Sequence, residues 1–193
     1  MLTKSQSKYI RALSMQKYRN EHQVFIAEGT KIAEEWLQST AKVQLIAATK
    51  AWSEVHQGLL KQHPEATYIE VSEAELATIS LLPTPNQVLL VVHREVVPMP
   101  NAITEWCIAV STLQDPGNMG TIIRIADWFG IKHIYATADS VDAYNPKVIQ
   151  AAMGGHLRVQ VHTATMQQVF EMAQVPIYAA VLGGTNIYHQ PKA

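Results

Sequence analysis

The stretch Gln114-Asp115-Pro116-Gly117-Asn118-Met119-Gly120 lies between two apolar segments whose spacing patterns differ, and this difference indicates the fold class. Residues 107–112 form a short apolar run that predicts a β-strand, and residues 119–129 have the apolar spacing of a helix. Apolar strands and helices continue to alternate along the chain, which predicts crossover connections and a parallel sheet. Ligands bind beyond the carboxyl ends of the strands in such a sheet, so residues 114–120 form a candidate site.

A proline-rich break divides the predicted elements into two sets. Pro98 and Pro100 fit neither a helix interior nor a central strand, so residues 98–103 are predicted to be a linker. Before the linker we predict helices over residues 5–15, 30–38, 51–62 and 72–79, and strands over 24–27, 43–48, 67–71 and 87–93. After the first strand and helix beyond the linker, we predict strands over residues 133–136, 158–162 and 177–182, and helices over 146–153 and 166–173. The sequence therefore predicts two α/β domains, residues 1–97 and 104–193.

The composition of the 193 residues excludes several classes of protein. The formal net charge of −1 gives no overall attraction to nucleic acid, so any such binding needs a local basic patch. Cys107 alone forms neither a disulfide framework nor a cysteine zinc site, and the eight histidines lack metal-ligand spacing, so no metal site is predicted. Because no signal peptide or membrane-spanning run is recognisable, we expect a cytoplasmic protein with no membrane partner.

The loop at residues 114–120 allows two interpretations, and the residues alone favour neither. Pro116 stiffens the turn, Gly117 and Gly120 permit close approach of a ligand or another backbone, and Asn118 offers a donor and an acceptor. The alternative is a plain strand-to-helix turn in which Asn118 caps the helix. A dinucleotide-binding fingerprint is excluded, because it needs glycines at its first, third and sixth positions.

Arg124 stands out in the predicted helix because most of its neighbours are apolar. It is predicted to project from the helix one turn beyond Gly120, where a guanidinium suits binding to a phosphate or a ribose. The alternative is a surface ion pair with Asp127, three residues along the helix. The core side of the same helix is predicted to consist of Ile122, Ile125, Ala126 and Phe129.

A third of all lysines and arginines lie within the first twenty residues, and no acidic residue precedes Glu21. These basic residues are Lys4, Lys8, Arg11, Lys17 and Arg19. Lys4, Lys8 and Arg11 share one face of the first predicted helix, so they form a stripe that can pair with the phosphates of a nucleic acid. The alternative is a solvated helix face, which the charge pattern alone favours.

Two long segments resemble the signature motifs of the SpoU (TrmH) class of RNA ribose 2′-O-methyltransferases, within the SPOUT superfamily. Residues 113–130 resemble the first motif, with matches at Asp115, Pro116, Asn118, Gly120, Arg124, Ala126, Phe129 and Gly130. Residues 140–154 resemble the second motif, with matches at Ser140, Asp142, Tyr144, Asn145, Pro146, Lys147, Val148, Met153 and Gly154. The first domain is similar to the family's ribosomal-protein-like α/β substrate-binding domain at Tyr9, Leu13 and residues 18–19, 25–29 and 88–92.

The resemblance implies an RNA substrate-binding domain followed by a parallel-sheet SPOUT domain. It also implies methyl transfer from S-adenosylmethionine to a ribose 2′-hydroxyl of tRNA or rRNA. Arg124 is expected to hold the target ribose and to lower the cost of the developing alkoxide, with Asn118 positioning Arg124 or the substrate. Val181, Leu182 and Gly183 are expected to form one wall of the adenosine site. The RNA contacts are assigned to Lys4, Lys8, Arg11, Lys17, Arg19 and Lys147.

One departure from the family pattern limits these expectations. The family's third motif, with an Asn-Glu-Gly loop and a later Ser-Leu-Asn helix, does not occur in the sequence. That motif completes the cofactor pocket, threads a trefoil knot and contributes to homodimers. We therefore expect an incomplete pocket here, and the knot and the homodimer stay open. The alternative function is a non-catalytic RNA-binding module or inactive fragment that retains the substrate domain.

Overall fold

The computed structural model describes residues 2–186, which form two lobes with one β-sheet each. We call residues 2–93 the first lobe and residues 103–186 the second lobe. The first lobe consists of α1 (Lys4–Ala12), α2 (Gln16–His22), β1 (Val24–Glu28), α3 (Thr30–Gln38), β2 (Val43–Ala48), α4 (Lys50–Val55), α5 (Gln57–Leu60), β3 (Thr67–Glu70), α6 (Glu73–Ile79) and β4 (Val88–His93). The second lobe consists of β5 (Ile108–Val110), α7 (Pro116–Trp128), β6 (His133–Ala136), α8 (Pro146–Ala152), a 3₁₀ turn (Gly155–Leu157), β7 (Gln160–Thr163) and α9 (Met166–Met172).

The sheet of the first lobe is mixed, with strand order β1-β4-β2-β3. Strand β4 runs antiparallel to both β1 and β2, and only β2 and β3 are parallel. The residues of β4 from Val88 to Val92 are buried, as expected for a central strand covered on both faces. Separate apolar clusters occupy the two faces, one against α3 and the other against α1 and α6.

The predicted helix over residues 5–15 is wrong in its extent, because α1 ends at Ala12 and α2 follows after a short turn. Arg19 stabilises that turn: its Nη1 atom donates to the carbonyl oxygens of Leu13 (2.9 Å) and Ser14 (2.7 Å). These bonds satisfy carbonyl groups that the end of a helix leaves unpaired. The apolar spacing of residues 5–15 carries no sign of this contact.

The predicted helix over residues 51–62 is also divided, at His56, into α4 and α5. The His56 ring stacks on Trp52 with 4.0 Å between ring centroids, and its Nδ1 atom lies 2.8 Å from the Trp52 carbonyl oxygen. The other ring nitrogen lies 2.8 Å from Glu34 Oε1 in α3. A side chain from a neighbouring helix thus holds the break in place.

The sheet of the second lobe is parallel, with order β5-β6-β7, which confirms the prediction from alternating strands and helices. Helices α7 and α8 cover one face through a cluster that includes Ile123 and Val148. Helix α9 covers the other face. The carboxyl ends of β5 and β6 therefore carry the loops that lead toward α7 and α8.

The strand predicted over residues 177–182 is wrong. Those residues follow α9 as irregular chain without a paired neighbour among the described strands, and all six are exposed. An apolar run forms a strand only where a sheet edge receives it, and that condition cannot be read from the run itself. The end of the predicted second domain, residues 187–193, lies outside the described residues.

Candidate functional site

The loop that joins β5 to α7 is hydrogen-bonded to the loop that follows β6. The backbone amide of Thr112 donates to Thr137 Oγ1 and its hydroxyl donates to Asp139 Oδ2, both at 2.9 Å. These two threonine hydroxyls lower the pKa of Asp139, with Thr137 contributing more. The amide of Leu113 donates to Ser140 Oγ at 3.1 Å. The segments that resemble the two signature motifs thus begin side by side at the carboxyl edge of the sheet.

Thr112 adopts a left-handed backbone conformation, with φ of 54°. This conformation is strained for a β-branched residue, and such strain concentrates at functional sites. The hydrogen bonds from Thr112 to the loop after β6 hold the residue in it. The conformation directs the chain from β5 into α7.

Asp115, not Asn118, caps α7. The Asp115 carboxylate accepts a hydrogen bond from the backbone amide of Asn118 at 2.7 Å, and Pro116 occupies the first turn. The alternative interpretation of Asn118 as the helix cap is therefore wrong. The Asn118 side chain is exposed and forms no hydrogen bond within residues 2–186, so its donor and acceptor are available to a ligand.

Gly120 permits a close approach, and its neighbour is α8. A Cβ atom added at Gly120 would meet the Val148 carbonyl oxygen at 2.8 Å and the Ala152 amide nitrogen at 2.9 Å. The same addition at Gly117 would meet only Asp115 Oδ1, at 3.1 Å. Gly120 is therefore explained by helix packing and not by contact with a ligand.

The core side of α7 differs from the predicted one. Its buried residues are Met119, Gly120, Ile123 and Ala126. Ile125 and Phe129, which were predicted to be core residues, are 44% and 73% exposed, and Trp128 is 85% exposed. A helix with apolar residues on several sides does not reveal which side faces the sheet, and this ambiguity caused the error.

Arg124 lies on the exposed side of α7, in a shallow hollow lined by Thr121, Ile125, Trp128 and Phe129. The predicted alternative, an ion pair with Asp127, is wrong, because Arg158 binds Asp127 with a nitrogen–oxygen distance of 2.6 Å. Within residues 2–186 the guanidinium of Arg124 forms no hydrogen bond or ion pair. A free cation beside exposed aromatic rings is suited to bind a phosphate or a ribose.

Asn118 does not hold Arg124 in place. The two residues are six positions apart, which places their side chains about 120° apart around an α-helix. No hydrogen bond joins them among the described residues. Positioning of Arg124 by Asn118 therefore has no support, and only a direct contact of Asn118 with a ligand fits the geometry.

The segment after Ser140 turns toward the first lobe. The Asp142 carboxylate binds Arg19 of α2, with 2.6 Å between Oδ2 and Nη2. The Nε2 atom of His156 lies 2.8 Å from the Ala143 carbonyl oxygen, and burial lowers the pKa of His156 to about 4. The motif resemblance gave Asp142 no structural role, and its partner Arg19 in the first lobe is 123 residues away in sequence.

The basic stripe of α1 is exposed, as the sequence predicted. Lys4, Lys8 and Arg11 line a groove between α1 and α6 that also contains Glu75 and Thr78. Lys17 is exposed nearby on α2. These four cations can reach phosphates without changing the fold.

Arg19 must be removed from the predicted RNA contacts. The residue is 1% exposed, and its guanidinium donates to Asp142, Leu13 and Ser14. A buried guanidinium with these partners is a structural contact between the lobes. The residue looked like part of the stripe because Asp142 lies far along the chain.

Lys147 is exposed at the start of α8, where its backbone amide donates to the side chain of Asn145 at 2.9 Å. It lines a cleft between the lobes together with Glu28 and Pro83. Burial raises the pKa of Glu28, whose carboxylate accepts hydrogen bonds from Ser80 Oγ (2.6 Å) and the Leu81 amide (2.8 Å). No described hollow contains both Lys147 and Arg124.

The residues predicted to hold the cofactor do not form a pocket within residues 2–186. Val181 is 65% exposed, Leu182 is fully exposed, and a Cβ at Gly183 would contact nothing. An adenosine needs enclosing walls, and these residues supply none among the part described. The described residues also contain no cluster of three or more potential metal ligands, and no helix among them is long and apolar enough to cross a membrane.

Comparisons with known proteins agree with the motifs. Residues 4–90 match the family model of the MRM3-like substrate binding domain, and residues 105–192 match that of the SpoU rRNA Methylase family. The chain is 30% identical, over 155 residues, to a 23S rRNA guanosine 2′-O-methyltransferase of Bacillus subtilis. That alignment covers 77% of this chain and 58% of the relative, so the chain spans well under two thirds of the relative's length.

Solved structures give the same result. A TrmH-family protein from Porphyromonas gingivalis has a TM-score of 0.72 at 34% identity, over 85% of this chain and 63% of that one. An AdoMet-bound rRNA methyltransferase from Sinorhizobium meliloti has a TM-score of 0.75 at 25% identity, over 89% and 67% of the two chains. Both family models, the two motif segments and the parallel second sheet point to one assignment. The chain belongs to the SpoU methyltransferase family, with an MRM3-like substrate-binding domain preceding its SpoU domain.

Proposed function

We propose that this chain acts in an RNA methyltransferase that transfers a methyl group from S-adenosylmethionine to a ribose 2′-hydroxyl. The observation that carries the proposal is the free guanidinium of Arg124 on the exposed side of α7. The relatives support the reaction class, since one is a 2′-O-methyltransferase of 23S rRNA and another was solved with AdoMet bound. Ribosomal RNA is therefore the proposed substrate class, and the cytoplasm is the proposed compartment.

The protein has two tasks in this reaction. The sulfonium of the cofactor supplies an already activated methyl group, so the chain must orient the ribose and stabilise charge. Arg124 donates hydrogen bonds to the ribose and the adjacent phosphate, and stabilises the alkoxide as it develops. It does not remove the proton, because arginine remains protonated in proteins. Asn118 contacts the substrate directly from the first turn of α7.

The RNA-binding surface consists of exposed cations from both lobes. Lys4, Lys8, Arg11 and Lys17 lie on the first lobe, and Lys147 lies beside the cleft between the lobes. Such contacts supply affinity without sequence selectivity, because they pair with phosphates. Glu75 faces the same groove as the α1 stripe and reduces its positive potential.

The aromatic side of α7 is the proposed contact with a second copy of the chain. Trp128 and Phe129 are 85% and 73% exposed beside Arg124, and exposed apolar patches of this kind mark interfaces. Covering this patch would also exclude water from the hollow around Arg124, which strengthens the guanidinium's electrostatic effect.

A non-catalytic RNA-binding module is the second candidate function, favoured by the exposure of Val181, Leu182 and Gly183. Titration calorimetry with S-adenosylmethionine separates the two candidates. Micromolar binding by the chain supports the enzyme. Absence of binding at millimolar cofactor, with RNA binding retained, supports the module.

The role of Arg124 is tested by methyl transfer to ribosomal RNA. We expect Arg124→Ala to lower the turnover roughly 100- to 1,000-fold, the usual loss when one donor to a developing oxyanion is removed. Lys132→Ala, which removes another exposed cation of the second lobe, is the control and should keep its activity. Near-normal turnover by Arg124→Ala would contradict the assignment.

A further inference from the structure

We propose that Arg19 and Asp142 form a latch that fixes the angle between the two lobes and thereby selects which ribose of a bound RNA reaches Arg124. The selection of the ribose rests on the proposed function, whereas the fixed angle does not. Both residues are positioning residues, because neither is placed to touch the substrate.

The ion pair is nearly dry and has a defined geometry. The side chains of Arg19 and Asp142 are 2% and 11% exposed. Asp142 Oδ2 accepts hydrogen bonds from Nη2 at 2.6 Å and from Nε at 3.1 Å. The remaining nitrogen of Arg19 donates to the Leu13 and Ser14 carbonyls of the turn between α1 and α2. One guanidinium thus joins the basic helices of the first lobe to the second-motif segment.

A second arginine faces the same carboxylate. Arg94, which directly follows the first lobe in the chain, lies with its guanidinium carbon 4.3 Å from the centre of the Tyr144 ring. Its Nη2 atom is 3.7 Å from Asp142 Oδ2, and its Nη1 atom donates to Asn20 at 2.9 Å. Burial lowers the pKa of Arg94, and the charge of Asp142 opposes that shift. Asp142 is therefore an anion that two cations share at this junction.

Apolar packing continues from the latch and excludes a loose hinge. Ile149 of α8 belongs to the main core cluster of the first lobe. Tyr144 packs against the same cluster, with 5.1 Å between the centroids of its ring and the Phe25 ring. The Nε2 atom of Gln150 donates to the Glu28 carbonyl oxygen at 2.7 Å. A close-packed contact of this kind has one preferred arrangement and resists gradual sliding.

The presence of an ion pair in this core has a physical consequence. Buried ion pairs add little net stability compared with apolar residues of the same shape, but they fit only one arrangement of their partners. Arg19 and Asp142 therefore contribute orientation to a contact that apolar packing already holds together. Because α1 and α2 carry the RNA contacts while α7 carries Arg124, a fixed angle also fixes the distance between them.

The experiment measures the angle and the product separately. Spin labels on Lys50→Cys in the first lobe and Lys132→Cys in the second, in a Cys107→Ser background, report the distance between lobes by pulsed electron resonance. Both lysines are well exposed, with side-chain exposures of 73% and 66%. Asp142→Asn removes the anion, and Asp127→Asn removes an ion pair of the same length that lies wholly within the second lobe. Arg19→Lys is a milder change that keeps the charge but loses the bidentate geometry.

We expect one narrow distance distribution for the parent protein and for Asp127→Asn, and a broadened or shifted one for Asp142→Asn and Arg19→Lys. In Asp142→Asn and Arg19→Lys, the ratio of methylation at the target ribose to methylation at its neighbours should fall. Simple loss of folded protein would instead lower methylation at all positions equally and leave this ratio unchanged. An unchanged distribution in Arg19→Lys and in folded Asp142→Asn overturns the latch. If the parent protein methylates no RNA, the proposed function is contradicted. The distance distributions still test whether Arg19 and Asp142 fix the angle between the lobes.

Discussion

Arg19 and Arg124 are two arginines that look alike in the sequence but have different surroundings in the structure. Both stand in helical segments, and both were predicted to contact RNA. Arg124 is exposed and unpaired within residues 2–186, whereas Arg19 is buried against Asp142. The sequence predicted the first correctly as a projecting cation and the second wrongly, because the partner of Arg19 is 123 positions away. The roles of the remaining basic residues stay predictions.

Lys8 tests the RNA-binding stripe at this scale. We expect Lys8→Gln to weaken RNA binding and to reduce the slope of log affinity against log salt by about 1, since one phosphate contact is lost. Fluorescence anisotropy with labelled RNA at several salt concentrations measures both quantities. Lys50→Gln removes another exposed cation, on α4, and should leave the slope unchanged. An identical loss in both variants would show that only net charge matters.

His156 gives a pH dependence with a defined sign. Burial lowers its pKa from 6.5 to about 4 in the folded protein, so between those values the unfolded chain binds the extra proton. The free energy of unfolding therefore falls as the pH falls from about 6.5 to about 4, by about 3 kcal/mol in total from this group.

Urea unfolding followed by tryptophan fluorescence at pH 7 and pH 5 measures this dependence. His156→Gln keeps an amide donor for the Ala143 carbonyl but cannot titrate, so its unfolding free energy should change less with pH. His93→Gln changes an exposed histidine and should keep the slope of the parent protein. Equal slopes for His156→Gln and the parent would contradict the buried neutral imidazole.

At the scale of elements, local periodicity predicted most helices and strands. Helix α3 and strand β2 have the predicted ends. The errors occur where a distant partner decides the outcome: the turn held by Arg19, the break held by His56 and the unpaired residues 177–182. The exposed side of α7 belongs with these errors, because the positions of the sheet and of α8 determine which side is covered.

The contact between α7 and α8 is tested by alanine at the two glycines of α7. We expect Gly120→Ala to lower the free energy of unfolding by about 1–3 kcal/mol, because its Cβ would overlap the backbone of α8. Gly117→Ala should change stability by less than about 1 kcal/mol, since only the Asp115 side chain must yield. Chemical denaturation measures both, and equal effects would contradict the close packing of the helices.

At the scale of the whole molecule, the sequence predicted two α/β units, and the structure confirms a parallel sheet in the second. The sequence did not predict that the second-motif segment packs against the first lobe through Asp142 and Tyr144. Family resemblance identified these residues as matches without giving their partners. The cofactor site stays a prediction, because Val181, Leu182 and Gly183 are exposed in the described residues.

The proposed homodimer is a whole-molecule prediction. Light scattering coupled to size-exclusion chromatography should give twice the mass of the 193-residue chain for the parent protein. Trp128→Ser should shift the equilibrium toward the monomer, because it removes the largest exposed apolar side chain of α7. Val55→Ser, at an exposed apolar position of α4 in the first lobe, is the control. If the parent protein is monomeric at high concentration as well as after 100-fold dilution, the proposed dimer contact through α7 is ruled out.

Methylation mapping of ribosomal RNA tests whether this protein methylates a ribose 2′-hydroxyl with the help of Arg124. RNA is isolated from cells with the intact gene, with the gene deleted and with chromosomal Arg124→Ala, and its modified nucleosides are identified by mass spectrometry. We predict that the same 2′-O-methylated nucleoside disappears from the RNA of the deletion strain and of the Arg124→Ala strain. Retention of every 2′-O-methyl group in the deletion strain, or loss of a base methyl group instead, would contradict the proposed 2′-O-methyltransferase activity.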